Sequence, residues 1–422
     1  KNLPHSKVLH TIDEREQICD NCGSTMVKVG EEFVRTEVQF IPAKLKVIDH
    51  YRETYECRSC RKNGTPYMEK APVPYPPVLH SLASASTITW LIHQKFELSI
   101  PLYRQEKEWE ALGLRLSRAT MSNWLLVVYR DWLVHIVHRL KLELLKQRYL
   151  HIDETHVQVL KELGRKNTSD SYMWVYCSIR DAVNPIRYFE YQPGRSGKYP
   201  EAFLREYEGY IHTDAYSGYN AVSGVKRCLC YTHLRRAFVD ALPKDIHNSE
   251  ASKPAEAILR LNQLFNIESE LEALPPDQKK KERLIREKPL LEAFGSWAEK
   301  SAIGELPKSK LSKAFHYALN NREGFWNYLE DGNCSISNSL AENCIRPFVI
   351  GRKNWMFSGS PKGAEASAGI YTLVETAKAN GLAPMKYIKY ILSDMPGSAF
   401  LEHPEYLDDY LPWNPLVKEF CR

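Results

Sequence analysis

The sequence predicts a multidomain α/β protein. Its centre is a mixed five-stranded sheet with flanking helices and a helical insertion, preceded by two smaller N-terminal modules. Three observations carry this. Two C-x2-C pairs stand near the N-terminus, a proline-rich run follows, and the remaining chain alternates β-branched and aromatic runs with helical stretches. At 422 residues the chain has room for two or three cores. Its 43% hydrophobic and 26% charged residues are ordinary for a globular protein. No apolar run approaches the roughly 18 residues of a membrane helix, and nothing reads as a signal peptide, so a soluble intracellular protein is expected. The chain begins at Lys1 rather than Met, which leaves room for a preceding N-terminal piece.

The net charge of +5 is unevenly placed. Residues 1–150 hold 22 Lys and Arg against 17 Asp and Glu, whereas the rest of the chain is balanced at 35 against 35. The excess therefore lies where a nucleic-acid contact is expected. Ten cysteines are too few and too scattered for a disulfide scaffold. Four of them, Cys19 and Cys22 in "CDNC" and Cys57 and Cys60 in "CRSC", form two knuckles that suit one closed, structural, tetrahedral Zn2+. The intervening residues read as strands, so residues 1–70 are expected to be a small β zinc-binding domain.

"APVPYPP" (71–77) is a linker. Residues 78–147 read as a helical domain. Within it "YRQEKEWEALGLRLSRATMSNWL" reads as helix, turn at Gly113, then a second helix N-capped by Ser117. That resembles a helix-turn-helix, with Arg118, Thr120, Ser122 and Asn123 on the solvent side as DNA-binding candidates.

The stretch "RYLHIDETHVQVL" (148–160) reads as a buried strand carrying Asp153 and Glu154. A charge there is costly unless it is paired or binds a metal. Two further strands, a helix, a strand ending at Asp214, and a strand followed by a helix complete a ribonuclease-H-like succession. In that topology the first and fourth strands are neighbours, so Asp153 and Asp214 converge. Glu342, in the short helix of "SNSLAENCIRPF", supplies a third carboxylate; Ser337 or Asn338 is expected to cap that helix and Pro347 to end it. Such carboxylates suit two Mg2+ ions (or Mn2+) and in-line displacement at phosphorus.

Together "HIDET", "HTDAYSGYN", "CYTHLRRAF", "NSLAENCIRPFVIGRKNWMFSGSPKGAEASAGIYTLVETAKANGLAP", "PLYRQ" and "LPWN" resemble the transposases of the insertion sequence 66 family, of the DDE class. The resemblance covers nearly the whole chain. It implies a catalytic triad of Asp153, Asp214 and Glu342, with Cys230 and His233 of "CYTH" near the active site. Where the family usually has Arg after the Glu, this chain has Asn343, which affects a backbone or phosphate contact at that position. The resemblance also implies recognition of terminal inverted repeats by the N-terminal modules, and a homodimer or higher oligomer on double-stranded DNA. Element-encoded accessory proteins and a cytoplasmic, nucleoid-associated bacterial location complete the expectation.

Beside the carboxylates, Glu154 is expected on the opposite sheet face, with His151 and His212 as hydrogen-bonding neighbours. Arg235, Arg236, Arg346, Arg352 and Lys353 are candidate phosphate contacts, and Lys279–Lys281 a further basic run. Trp355 and Phe357 are candidates for wedging a terminal base, with core packing as the alternative for at least one. The catalytic domain is expected over residues 148–247 and 311–392, the insertion over 248–310, and a tail over 393–422. Two other readings stand beside transposition: a structure-selective metal-dependent endonuclease of the same fold, and a non-catalytic, transposase-derived DNA-binding regulator.

Overall fold

The computed structural model describes residues 7–13, 15, 17–36, 44–243 and 252–422. The expected start of the insertion at residue 248 lies outside them. The chain divides into two compact units, Lys1–Val47 and Ile48–Arg422.

The first unit holds one cysteine knuckle, closed by an isolated Ile18–Thr25 bridge and a Cys19 N–H to Ser24 carbonyl bond of 2.9 Å. Of the strands expected between the cysteine pairs, only Thr54–Glu56 forms among the described residues. Val29, Phe33 and Val34 are almost fully exposed without a paired strand, so β propensity alone had nothing to pack against. In the second unit a two-stranded ribbon, β1 (Thr54–Glu56) and β2 (Met68–Lys70), flanks the second knuckle.

The main sheet holds β3 (Tyr149–Val159), β4 (Asp170–Ser178), β5 (Arg187–Gln192), β6 (Gly209–Thr213) and β7 (Val225–Leu229), in the order β5-β4-β3-β6-β7. The first three run antiparallel; β6 joins β3 in parallel and β7 joins β6 in parallel. A two-residue strand, β8 (Phe357–Ser358), adds a sixth member by pairing with the far end of β3. Met356, at φ 64°, turns the chain out of the preceding helix into β8.

The edge strand β5 is covered by the helix Pro361–Ala379. Thr372 and Thr376 accept from the backbone N–H groups of Phe189 (2.8 Å) and Arg187 (3.1 Å), satisfying groups that would otherwise attract another strand. The same helix comes close to Tyr129: a Cβ on Gly369 would stand 2.1 Å from the ring. The helices of residues 85–145 share one core with this sheet. Met121, Trp124, Leu125 and Val128 face inward, while Arg118, Thr120 and Asn123 stay exposed and Ser122 is half-buried. Ser117 caps the helix Arg118–Val128 through the Thr120 N–H at 3.1 Å.

A second core lies beyond β7, where the helices Lys253–Glu270, Lys288–Ala302 and Lys310–Asn320 pack around the helix Tyr231–Val239. Arg283 sits inside it, fully buried, with all five N–H donors used. It grips Glu268 through Nε and Nη2 at 2.6 and 2.8 Å, and donates to the carbonyls of Tyr328, Asp331 and Cys334 at 3.1, 3.0 and 2.8 Å. It thereby ties the insertion to the segment that leads into Glu342. Arg283→Met leaves Glu268 and three carbonyls without partners, so a loss of about 3–5 kcal/mol is expected in urea unfolding. A loss below about 1 kcal/mol would mean that water replaces the guanidinium.

Candidate active site

The geometry follows from how β3 is paired. On one side β4 covers Leu150 to Gln158; on the other, β6 pairs only Tyr149–His151 and β8 only Gln158–Val159. Between them the β3 edge carries no strand, and Asp153 lies in that opening. The open edge is finished by side chains instead. Asn338 Nδ2 donates to the Ile152 carbonyl at 2.7 Å, and Arg352 Nη1 donates to Thr155 Oγ1 at 2.9 Å and to the His156 carbonyl.

Asp214 follows directly on β6, beside the β3 edge. Its Oδ1 accepts the Tyr216 N–H at 3.0 Å, and Arg227 clamps the turn through Thr213 Oγ1 and the carbonyls of Asp214 and Tyr216. Glu342 stands in the first turn of the helix Ser339–Trp355. The segment before that helix is pinned to β6 and to the residues that follow β7. Ser335 N–H donates to His212 Nε2 (2.9 Å), Tyr231 N–H to the Ile336 carbonyl (3.0 Å), and Asn338 N–H to Cys230 Sγ (3.1 Å).

Two expectations about this helix are corrected. Asn338 precedes it without capping it, because its side chain is spent on Ile152 and on His151 Nδ1 at 3.0 Å. Pro347 does not end it: the helix runs on to Trp355, with Ala341, Ile345, Phe348 and Gly351 buried. That packing outweighs the hydrogen bond a mid-helix proline forfeits.

His151 and His212 stack at 4.2 Å across β3 and β6. His212 is satisfied at both nitrogens, by the Leu150 carbonyl and the Ser335 N–H. Burial, then His212, holds His151 well below its ordinary pKa. Glu154 is held by two side chains. Arg195 Nε donates to it at 2.6 Å and Tyr219 Oη at 2.5 Å. Arg195 also reaches to 3.8 Å of Asp214.

Burial, then Glu154, with Asp214 and Glu342 adding, pushes the Asp153 carboxyl up to about 7. All three carboxylates are thus within electrostatic reach. Glu342 Oε1 is buried and makes no hydrogen bond. A raised carboxyl and an unpartnered carboxylate oxygen together suit a divalent cation. The sign is testable. Protonated Asp153 stabilises the metal-free fold at low pH, and that contribution is lost as pH rises from the ordinary carboxylate range through about 7. Mn2+ is therefore expected to raise the melting temperature more at pH 8 than at pH 6, and Asp153→Asn to remove the difference. Equal shifts at both pH values in the wild type would contradict it.

Cys230 ends the β7 connection and His233 lies in the first turn of the helix that follows. Burial raises the Cys230 thiol, but the His233 imidazole and the Asn338 N–H outweigh it and bring the thiol below its ordinary value. His233 Nδ1 stands 3.7 Å from Glu342 Oε1.

A family model described as "Transposase IS66 family" matches residues 80–366, which span all of these groups. The chain belongs to the transposase IS66 family. A second model, "zinc-finger binding domain of transposase IS66", matches residues 16–61 and so includes both cysteine pairs. The chain is also similar to two proteins of Sinorhizobium fredii (strain NBRC 101917 / NGR234). "Uncharacterized protein y4hP" is 27% identical over 95% of this chain and 75% of its own length. "Uncharacterized protein y4jD" is 26% identical over 98% of this chain and 81% of its own length.

In this family member the Ser24 backbone and side chain lower the Cys22 thiol, and the Cys60 backbone lowers that of Cys57, while Cys57 in turn raises that of Cys60. The candidate DNA contacts are not alike. Arg236, Arg346 and Lys353 are exposed, whereas Arg235 Nε is spent on Asn262 at 2.7 Å and Arg352 serves the β3 edge. Lys279 pairs with Glu268 at 3.6 Å, leaving Lys280 and Lys281 exposed. Trp355 packs on the core and Phe357 is exposed in β8. Sequence reasoning missed Arg195, Arg227 and the true role of Asn338. No local spacing marks them, because each acts across the fold. Among the described residues no helix is long and apolar enough to cross a membrane.

Proposed function

We propose that the chain is a DNA transposase that binds the terminal inverted repeats of an insertion sequence, cleaves its ends and joins the 3′ hydroxyls to target DNA. The observation that carries this is the opening in the β3 edge. It leaves the Asp153 position without a neighbouring strand, with Asp214 directly after β6 and Glu342 in the first turn of a nearby helix, and this supports their convergence. The strand order and the antiparallel-then-parallel pairing support a ribonuclease-H-like reading of the sheet.

When bound, Mg2+ or Mn2+ supplies Lewis-acid activation of the phosphoryl group and a nucleophilic water or hydroxyl. Asp153, Asp214 and Glu342 hold it. Arg227 and the Tyr216 N–H fix the orientation of Asp214, and Asn338 fixes the depth of the glutamate helix. His151, held well below its ordinary pKa by burial, adds no positive charge two residues from Asp153. A structural zinc in the zinc-finger region, residues 16–61, orders the N-terminal end-recognition module. The two helices joined at Gly113 act as the helix-turn-helix, with Arg118, Ser122 and Asn123 towards DNA. Arg236, Arg346 and Lys353 contact phosphates, with Arg235 and Arg352 contributing only their remaining donors. Synapsis of two ends requires a dimer or higher oligomer, and accessory proteins of the element join it in the bacterial cytoplasm.

The test is cleavage of labelled linear DNA carrying the element's ends, in Mg2+ or Mn2+. Metal-dependent nicking at the 3′ ends that disappears in Asp153→Asn supports the reading. Equal cleavage by the variant removes the triad assignment.

A further inference from the structure

Beside the oxygen ligands lies a donor set of different chemistry. Cys230, His233 and Glu342 each offer one ligand atom, and these atoms lie within 4.8 Å of one another. Cys230 is 1% exposed, and His233 and Glu342 are half-buried. His233 Nδ1 and Glu342 Oε1 are buried without a hydrogen-bond partner, although only 3.7 Å separates them. Two orphaned polar atoms beside each other are unfavourable unless something satisfies both. A proton would bridge those two atoms without drawing in the Cys230 sulfur beside them.

Cys230 is prepared as a ligand in a way a core cysteine is not. Its Sγ accepts the Asn338 N–H at 3.1 Å, the kind of outer hydrogen bond that orients a metal-bound thiolate. The C-x2-H spacing begins the helix Tyr231–Val239, so sulfur and imidazole rise from the same helix end. Glu342 comes from the facing helix.

We propose that Cys230, His233 and Glu342 form a binding position for a thiophilic divalent ion of the Zn2+ or Co2+ class, distinct in chemistry from the oxygen-only position at Asp153 and Asp214. Ligands at about 2.0–2.3 Å from a tetrahedral ion stand about 3.3–3.8 Å apart, so side-chain adjustments of ~1 Å complete the site. Three protein ligands leave a fourth position open, as in catalytic rather than structural zinc sites. Thiolate and imidazole select against Mg2+ at this position. The ion shares Glu342 with the carboxylate triad, so its occupancy sets where that carboxylate points. This rests on the transposase reading only for its consequence; the site itself stands on the donor set.

The experiment titrates Co2+ into the full chain with its zinc-finger cysteines already zinc-loaded. The readout is absorbance, with bound metal counted by mass spectrometry. One additional Co2+ per chain is expected, with a thiolate-to-cobalt charge-transfer band and tetrahedral visible bands. Cys230→Ser removes the charge-transfer band and weakens binding by roughly 100-fold or more. His233→Ala, which leaves the buried sulfur in place, keeps the band but weakens binding, and guards against a misfolded serine variant. A wild-type spectrum no different from that of Cys230→Ser overturns the proposal. End cleavage in Mg2+ is measured on the same preparations. Cleavage without the band means the inference fails and the transposase reading stands; the band without cleavage means the metal site stands and that reading fails.

Discussion

Asp153→Asn, Asp214→Asn and Glu342→Gln are each expected to lower cleavage of the element's ends by roughly 10^3-fold, the rate equivalent of about 4 kcal/mol of transition-state stabilisation. The three act as a unit, so a double variant should be little worse than either single one. The structural consequences differ by residue. Asp153 is held at about 7 by burial and by neighbouring carboxylates, so replacing it with Asn relieves the metal-free fold. A gain on the order of 2 kcal/mol at pH 8, declining below pH 7 and vanishing only near the ordinary Asp value of 3.8, is expected in chemical unfolding after allowing for solvent screening. Glu342 is half-buried, with a carboxylate oxygen that makes no hydrogen bond, so its amide should change stability little. Lost activity combined with raised stability at Asp153 would separate a metal ligand from a structural residue. Lost activity with lost stability would point to a packing role instead.

Zinc removal carries the second large effect. Structural zinc in small domains contributes apparent binding free energies of about 10–16 kcal/mol, most of which is folding energy. Cys22→Ser and Cys57→Ser are each expected to release one zinc per chain and to weaken binding to terminal repeats by roughly 10^3-fold. That is the low end of the gap between specific and non-specific DNA affinity. Residual binding should be strongly salt-dependent and indifferent to sequence, because the exposed basic residues remain. Metal analysis and mobility shifts at two salt concentrations check this. Retained repeat specificity in zinc-free protein would transfer end recognition to the helices at Gly113.

The sequence made the strands of the main sheet legible because each is a short run of β-branched and aromatic residues between clear turns. It also marked Asp153, since a carboxylate inside such a run needs a reason. What it could not convey was pairing. That β6 and β8 each cover only an end of β3, leaving the opening that exposes Asp153, depends on contacts some 60 and 200 residues away. Asn338 shows the same limit. Read locally it is a helix cap; in the fold its amide serves Ile152 and His151. Pro347 misled because a local rule was applied to a helix whose buried face overrides it. The zinc module misled in the opposite direction: of its strand-like residues Thr54–Glu56 pair, whereas Val29, Phe33 and Val34 stay exposed.

Strand transfer tests the central claim most directly. A pre-cleaved end with a labelled 3′ hydroxyl is incubated with target plasmid, Mg2+ and either wild-type chain or Asp153→Asn. The predicted result is label joined covalently to plasmid by the wild type alone. Cleavage of uncut ends by the wild type with no joining of pre-cut ones would contradict it, and would make the chain an endonuclease built on the same site.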